Sequence, residues 1–482
     1  LKDVSGGTYK PLTGDEIERI HDASLKVFSE IGIKVKNREA LDLFRDAGAH
    51  VDRATSIVKV EPEMVMELIS RAPSTITLYG KTPEHTLDVG GTKAYAGSGG
   101  SALNVLDHRT GEKRRARLSD LRDIARVVEA LDNIHFFMLP IFPGELTEEN
   151  VDVNRFGVGL TYTTKHVMGG VYSVEGIRRV KKMATMVAGS ETAFSDRPNI
   201  SMVTCCGISP FMLDEHYSQL TLECVRSGIP VVTPVEPLCG ATAPVTLAGN
   251  LVVQNVDTLA GVMLAQLAEP NSQVFYGCIS SLADMKDMKY LSGAVEMGLM
   301  NAAAAQLAQH YNIPIYTTAG MSDSKTLDAQ AGFESAITTL MVALAGGNII
   351  HDAAGFLEFC MVASLEKYVL DNEIIGMAMR ATKGIEVNDD TLAIDVLKKV
   401  GAGGHFVSVR HTRKFMRKEQ YMPGLADRST RDEWMKAGSP RTSDRARAKV
   451  DEILNAPQAR TVSQEIIERI GAEIPGIIKE VI

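Results

Sequence analysis

Eight times between residues 94 and 352, a short apolar run is followed by a longer amphipathic stretch, and this rhythm leaves few folds open. The runs cover residues 94–97, 134–141, 166–172, 200–205, 230–235, 273–278, 314–318 and 348–352. Several are nearly continuous in apolar residues, as parallel strands buried on both faces are. The intervening stretches carry helical spacing. Leu121, Ile124, Ala125, Val128 and Leu131 share one face behind a cap at Ser119, and Ile177, Val180, Met183 and Val187 share another behind Ser173. Residues 250–268 and 302–308 are rich in good helix formers. Strands alternating with helices imply a parallel α/β sheet, and eight such units favour a closed (β/α)8 TIM barrel. A dinucleotide-binding open sheet would need G-x-G-x-x-G in its first turn, and Gly97, Gly99 and Gly100 have a different spacing.

The barrel is assigned to residues 94–400, with an α+β cap over residues 1–93 in the same domain and a helical extension over 401–482. In the cap, Thr13 and Glu16 form a capping box ahead of the apolar stripe Ile17, Ile20, Val27, Phe28 and Ile31, which Gly32 ends. A helix over 38–47, a strand over 56–60 and a helix over 63–71 follow. Past Gly401 the chain turns polar, and an amphipathic helix is expected over 443–454.

Composition excludes several classes of function. The net charge is −9, and the one short basic run, Lys113, Arg114, Arg115 and Arg117, reads as a solvated hairpin, so no nucleic-acid partner is expected. The six cysteines form no C-x-x-C pair and sit among apolar neighbours, which points to reduced thiols, no metal site and a cytoplasmic location. No secretory leader pattern opens the sequence. No uncharged apolar run reaches the roughly eighteen residues of a membrane span.

In a TIM barrel the chemistry sits at the C-terminal ends of the strands. That rule selects aromatics near the expected mouth, Tyr95, Phe142, Phe211, Phe356 and Phe359, together with His351, Asp352, Asn348 and Glu236. Rings around a quaternary ammonium hold it by cation–π attraction. Each ring could equally pack under a loop, His351 could be a hydrogen-bonded core histidine, and Glu236 a plain loop residue. Lys325 is the one lysine placed near a mouth, as a Schiff-base aldolase or lyase would require.

The stretches 95–101, Gly320-Met321-Ser322-Asp323-Ser324-Lys325, Asp371-Asn372-Glu373-Ile374, and Gly403-Gly404-His405-Phe406 with His411-Thr412-Arg413 resemble the trimethylamine methyltransferase family, in its branch without pyrrolysine. The resemblance implies methyl transfer from a methylated amine to the cobalt of a corrinoid (cobalamin) held by a separate partner protein. The corrinoid-module signature D-x-H-x-x-G is missing: Asp214-Glu215-His216 lacks the glycine. Pyrrolysine-bearing members carry that residue in the region matching 323–359. Only standard residues stand here, which shifts the expected donor from trimethylamine to a quaternary amine. Glycine betaine, giving dimethylglycine, leads, ahead of proline betaine and carnitine. Loss of a neutral amine needs no general acid, so no catalytic residue is expected beyond those that position substrate. The expected cage is Tyr95, Phe211 and Phe356, with His351 and Asn348 on the carboxylate and Phe359 and Glu236 as second choices. A homo-oligomer is plausible for so apolar a barrel. A non-catalytic betaine-binding protein is the alternative of another class.

Overall fold

The computed structural model describes residues 4–457 and 460–482. Eight parallel strands form the barrel: β1 (Lys93–Ser98), β2 (Phe137–Met138), β3 (Val167–Gly170), β4 (Ile200–Val203), β5 (Val231–Thr233), β6 (Val274–Gly277), β7 (Ile315–Thr318) and β8 (Ile349–Ala354). They pair in chain order, and β8 returns to β1 with Ile349 opposite Tyr95. A parallel bridge between Gly97 and Phe136 joins β1 to β2 and closes the ring. All eight expected strands are present, and each is followed by a long helix: α1 (Leu118–Glu129), α2 (Glu148–Tyr162), α3 (Val174–Ala188), α4 (Glu215–Arg226), α5 (Leu247–Ala268), α6 (Val295–Tyr311), α7 (Ala329–Ala345) and α8 (Leu365–Thr382), with a short extra helix, Glu191–Asp196, between α3 and β4.

Local chemistry sets the helix ends. Ser173 caps α3 through the Gly176 N–H at 2.9 Å. Helix α1 departs from expectation: it starts at Leu118 rather than behind Ser119, because the Asp120 carboxylate reaches back to the Arg117 N–H and closes the first turn earlier. The basic run forms the expected hairpin, Asn104–Leu106 with Lys113–Arg115, but Arg114 is tied to Asp107 and Asp120 rather than simply solvated.

The N-terminal end of the barrel is plugged. An antiparallel hairpin, Thr75–Leu78 with Leu87–Gly90, enters just before β1. Its Ile76, Leu78, Leu87 and Val89 pack against Phe136, Met138, Met168, Val232 and Phe275 from the strand interiors in one continuous apolar cluster. Each such side chain, once fully buried, contributes about 1.5–3 kcal/mol.

The N-terminal helices Gly14–Lys26, Arg38–Asp46 and Pro62–Ser70 lie over α5. Helix α5 is therefore covered on both sides, which explains why it is apolar all round. It is the one described helix long and apolar enough to cross a membrane, but 83% of that window is buried inside the protein. A small sheet links cap to barrel: Ile33–Val35 and its neighbours pair with Met212–Leu213, which belongs to the loop after β4. Thr442–Asn455 packs on α1 and α8.

Candidate active site

The C-terminal end of the barrel is polar where the other end is apolar, and its organising group is Asp352. Strand β8 bulges between Ile350 and Ala354, with Asp352 at φ 58°. The bulge turns two successive side chains toward the strand ends. Asp352 Oδ1 accepts the Gly100 N–H at 3.0 Å, and Oδ2 accepts the Thr318 hydroxyl at 3.2 Å. His351 Nε2 lies 2.8 Å from Asp352 Oδ2, and its Nδ1 lies 2.8 Å from the Thr317 carbonyl. The ring is thus held through both nitrogens, by the Thr317 carbonyl and the Asp352 carboxylate. The imidazole stacks on Tyr316, with ring centroids 4.2 Å apart.

Glycine at position 99 is a packing requirement. A Cβ there would stand 2.0 Å from the Phe356 ring and 2.3 Å from Asp352 Oδ1. The loop after β1 can lie against the Asp352 carboxylate only with a bare backbone.

Beside this hub a cavity of about 370 Å³ opens between the loops after β4, β5 and β6, lined by Cys205, Gly207, Ile208, Ser209, Asp214, Tyr217, Pro234, Glu236, Thr242 and Ile279. That volume suits a small molecule. Glu236 leads the loop after β5 and keeps surface open, but that surface faces the cavity. The surrounding walls push its carboxyl up to about 7; a hydrogen bond from Tyr290 and the charge of His351 oppose this, while Asp352 adds to it. Cys205 also lines the cavity, and its surroundings push its thiol up to about 12. It is a neutral thiol at ordinary pH, not a nucleophile.

The structure brings together only part of the set expected from sequence. Glu236 is on the cavity wall, and His351 stands beside it with Asp352. Phe359 sits half-buried at the tip of the hairpin after β8, under the Lys325 ammonium at 4.6 Å from its ring. Lys325 itself is on an exposed loop, donating to the Asp323 carbonyl at 2.7 Å, while the Asp323 carboxylate takes the Ser292 N–H and hydroxyl. Phe142 stands edge-on to Tyr172 at 5.5 Å.

Four residues lie elsewhere. Tyr95 is fully buried at the plugged end, its hydroxyl on the Asp88 carbonyl of the hairpin, because β1 runs on for three residues beyond it, to Ser98. Asn348 precedes β8 at the same end, where it donates to the Gly91 and Lys93 carbonyls and accepts the Ile315 N–H. Phe211 is held in the loop after β4, its N–H on Asp257 and its carbonyl accepting from Lys34 of the cap sheet. Phe356 has no exposed surface and packs on Gly99 and Asp352. None of Tyr95, Phe211 and Phe356 is therefore on the cavity wall. The rings at the mouth are Tyr217 and Tyr290, which sequence reasoning missed. Tyr290 comes from a short strand paired to Ser281–Ala283, and no periodicity marks it.

The trimethylamine methyltransferase (MTTB) family model matches residues 4–475. The chain belongs to that family. It is 35% identical over 477 residues to a trimethylamine methyltransferase MttB of Desulfitobacterium hafniense, covering 99% of this chain and 95% of that one. It is 32% identical to a glycine betaine methyltransferase of the same species, covering 98% of each, and 33% identical to the trimethylamine methyltransferase MttB of Methanosarcina barkeri, covering 97% and 95%. The Methanosarcina barkeri monomethylamine methyltransferase structure superposes with a TM-score of 0.50 at 14% identity, covering 93% of this chain and 89% of that one, which supports the barrel fold. As a member of the MTTB family the chain is a methyltransferase, and the polar mouth is where a TIM barrel performs its chemistry.

Proposed function

We propose that this methyltransferase moves a methyl group from a small methylated ammonium to the Co(I) of a corrinoid presented by a separate protein. The observation that carries the reading is the cavity at the barrel mouth, with the Glu236 carboxylate on its wall, in a chain whose relatives are named for methylated amines. An ammonium against Glu236 is a charge-assisted contact. Tyr217, Ile208 and Ile279 supply ring and aliphatic surface for N-methyl groups. The corrinoid supplies the nucleophile. As the C–N bond breaks, its electron pair stays on nitrogen, so a quaternary or protonated tertiary ammonium leaves as a neutral amine and no side chain delivers a proton. The chain's task is orientation, which the rigid hub of Asp352, Gly100, Thr318 and His351 serves by fixing the ends of β1, β7 and β8 relative to one another.

The test is methylation of Co(I)-cobalamin by the purified protein across a panel of methylated amines, followed by the absorbance change to methylcobalamin. Formation with at least one amine supports the reading. No methylcobalamin with any of them, with free cobalamin or with a corrinoid protein, overturns it.

A further inference from the structure

The charges around the cavity say which tail the donor carries. The cavity walls hold two carboxylates, Glu236 and Asp214, and among the described residues no lysine, arginine or histidine lines them. A third carboxylate, Asp352, stands close enough to raise Glu236 further. The cations nearest the mouth are engaged elsewhere. His351 spends one ring nitrogen on the Thr317 carbonyl and the other on Asp352. Arg155 is fully buried, with its guanidinium on the carbonyls of Leu139, Ile141 and Gly170 and on the Ser101 hydroxyl. His216 faces the Tyr172 carbonyl at 2.8 Å. Lys325 rests on the Phe359 ring and the Asp323 carbonyl.

A betaine brings a cation and a carboxylate a few ångströms apart. With its ammonium on Glu236, its carboxylate would lie beside Asp214, with Asp352 already paired to His351, and would meet no free cation among the described residues lining the cavity. Like charges at such distances repel strongly in a partly enclosed site, and an unpaired carboxylate stripped of water is costly. A donor whose fourth substituent is uncharged meets neither penalty.

We propose, building on the methyl-transfer reading above, that Glu236 is the specificity-determining counter-ion and that the donor is a methylated ammonium with an uncharged fourth substituent: hydrogen, alkyl or hydroxyalkyl. Carboxylate-bearing betaines are excluded by the same carboxylates that attract the head group. This parts from the glycine betaine expected from sequence.

Tetramethylammonium, trimethylamine, choline and glycine betaine are compared on the full-length protein in two assays: calorimetric binding of each compound alone, and methylation of Co(I)-cobalamin. At least one uncharged-tail compound binds 30-fold or more tighter than glycine betaine and shows a correspondingly higher kcat/KM. Glu236→Gln weakens that compound at least tenfold in Kd and KM with a smaller change in kcat, while Glu236→Asp recovers part of the loss. Glycine betaine binding equally or better, or indifference of the ammonium compounds to Glu236→Gln, overturns the proposal. If no compound methylates the cobalt of either free cobalamin or a corrinoid protein, the methyl-transfer reading falls, and the binding measurements alone decide for or against the counter-ion.

Discussion

The two ends of the barrel use the same kinds of residue for opposite purposes. Each end has a histidine held by the backbone and an interior tyrosine. At the plugged end, His166 Nδ1–H donates to the Tyr79 carbonyl and Nε2 accepts the Ser201 hydroxyl, at 2.9 Å each, and burial pushes the ring down to about 4, so it is neutral. At the mouth, His351 is set between the Thr317 carbonyl and the Asp352 carboxylate. The apolar hairpin makes the first histidine part of a core, and the β8 bulge makes the second part of an electrostatic hub. What separates structure from chemistry in this barrel is depth along the strand.

The largest effect is expected at the hub. Asp352→Asn leaves the Gly100 and Thr318 contacts possible but removes the carboxylate that faces His351 Nε2; losing one partner of a buried polar pair costs roughly 1–3 kcal/mol. Turnover should fall by about two orders of magnitude or more, as positioning defects of this kind do, with a lower Tm as well. Near-normal turnover by Asp352→Asn would break the contrast between the ends. Leu78→Ala, in the plug, should cost about 2–5 kcal/mol in denaturant unfolding yet leave turnover per folded molecule within threefold; a large loss of turnover would show that the plug also shapes the site.

Acid stability sharpens the same contrast. The folded-state pKa of His166, about 4, is below its ordinary 6.5. Its contribution to stability is therefore present above pH 6.5 and is lost as pH falls toward 4, up to about 3 kcal/mol. His166→Gln should flatten the unfolding free energy across that window; an unchanged slope would remove His166 as the cause. The smallest effect is at Glu236. A cation favours its ionised form, so donor affinity is full above the free-site pKa near 7 and falls as pH drops below it, with KM rising up to about tenfold per pH unit. Tyr290, His351, Asp352 and Cys205 face the same carboxyl, and Asp214 shares the cavity wall. Glu236→Gln should abolish the slope, whereas a slope that survives assigns it to one of those neighbours.

The eight strands were legible because each is buried on both faces and so reads as an apolar run. Depth was not. Glycines after Tyr95 read as a loop, yet Gly97 and Gly99 are glycine because Phe136, Phe356 and Asp352 press against them, and the strand continues through Ser98. That three-residue continuation places Tyr95 at the wrong end for a substrate cage. Asn348 was misplaced for a related reason: a polar residue beside an apolar run marks a strand's start as readily as its end. Glu236 was visible as an acid at a strand end, whereas Tyr290 arrives through a long excursion that no local pattern connects to β5.

The plugging hairpin has a kinetic consequence. Ile76, Leu78, Leu87 and Val89 fill one end of the barrel, so on the proposed reaction the donor, the demethylated amine and the cobalt would share the doorway at the other end. The amine would then have to enter before the corrinoid protein arrives and could leave only after that protein has gone. Steady-state patterns should therefore be those of a compulsory-order mechanism, with the demethylated amine released last and competing with fresh donor for the empty barrel.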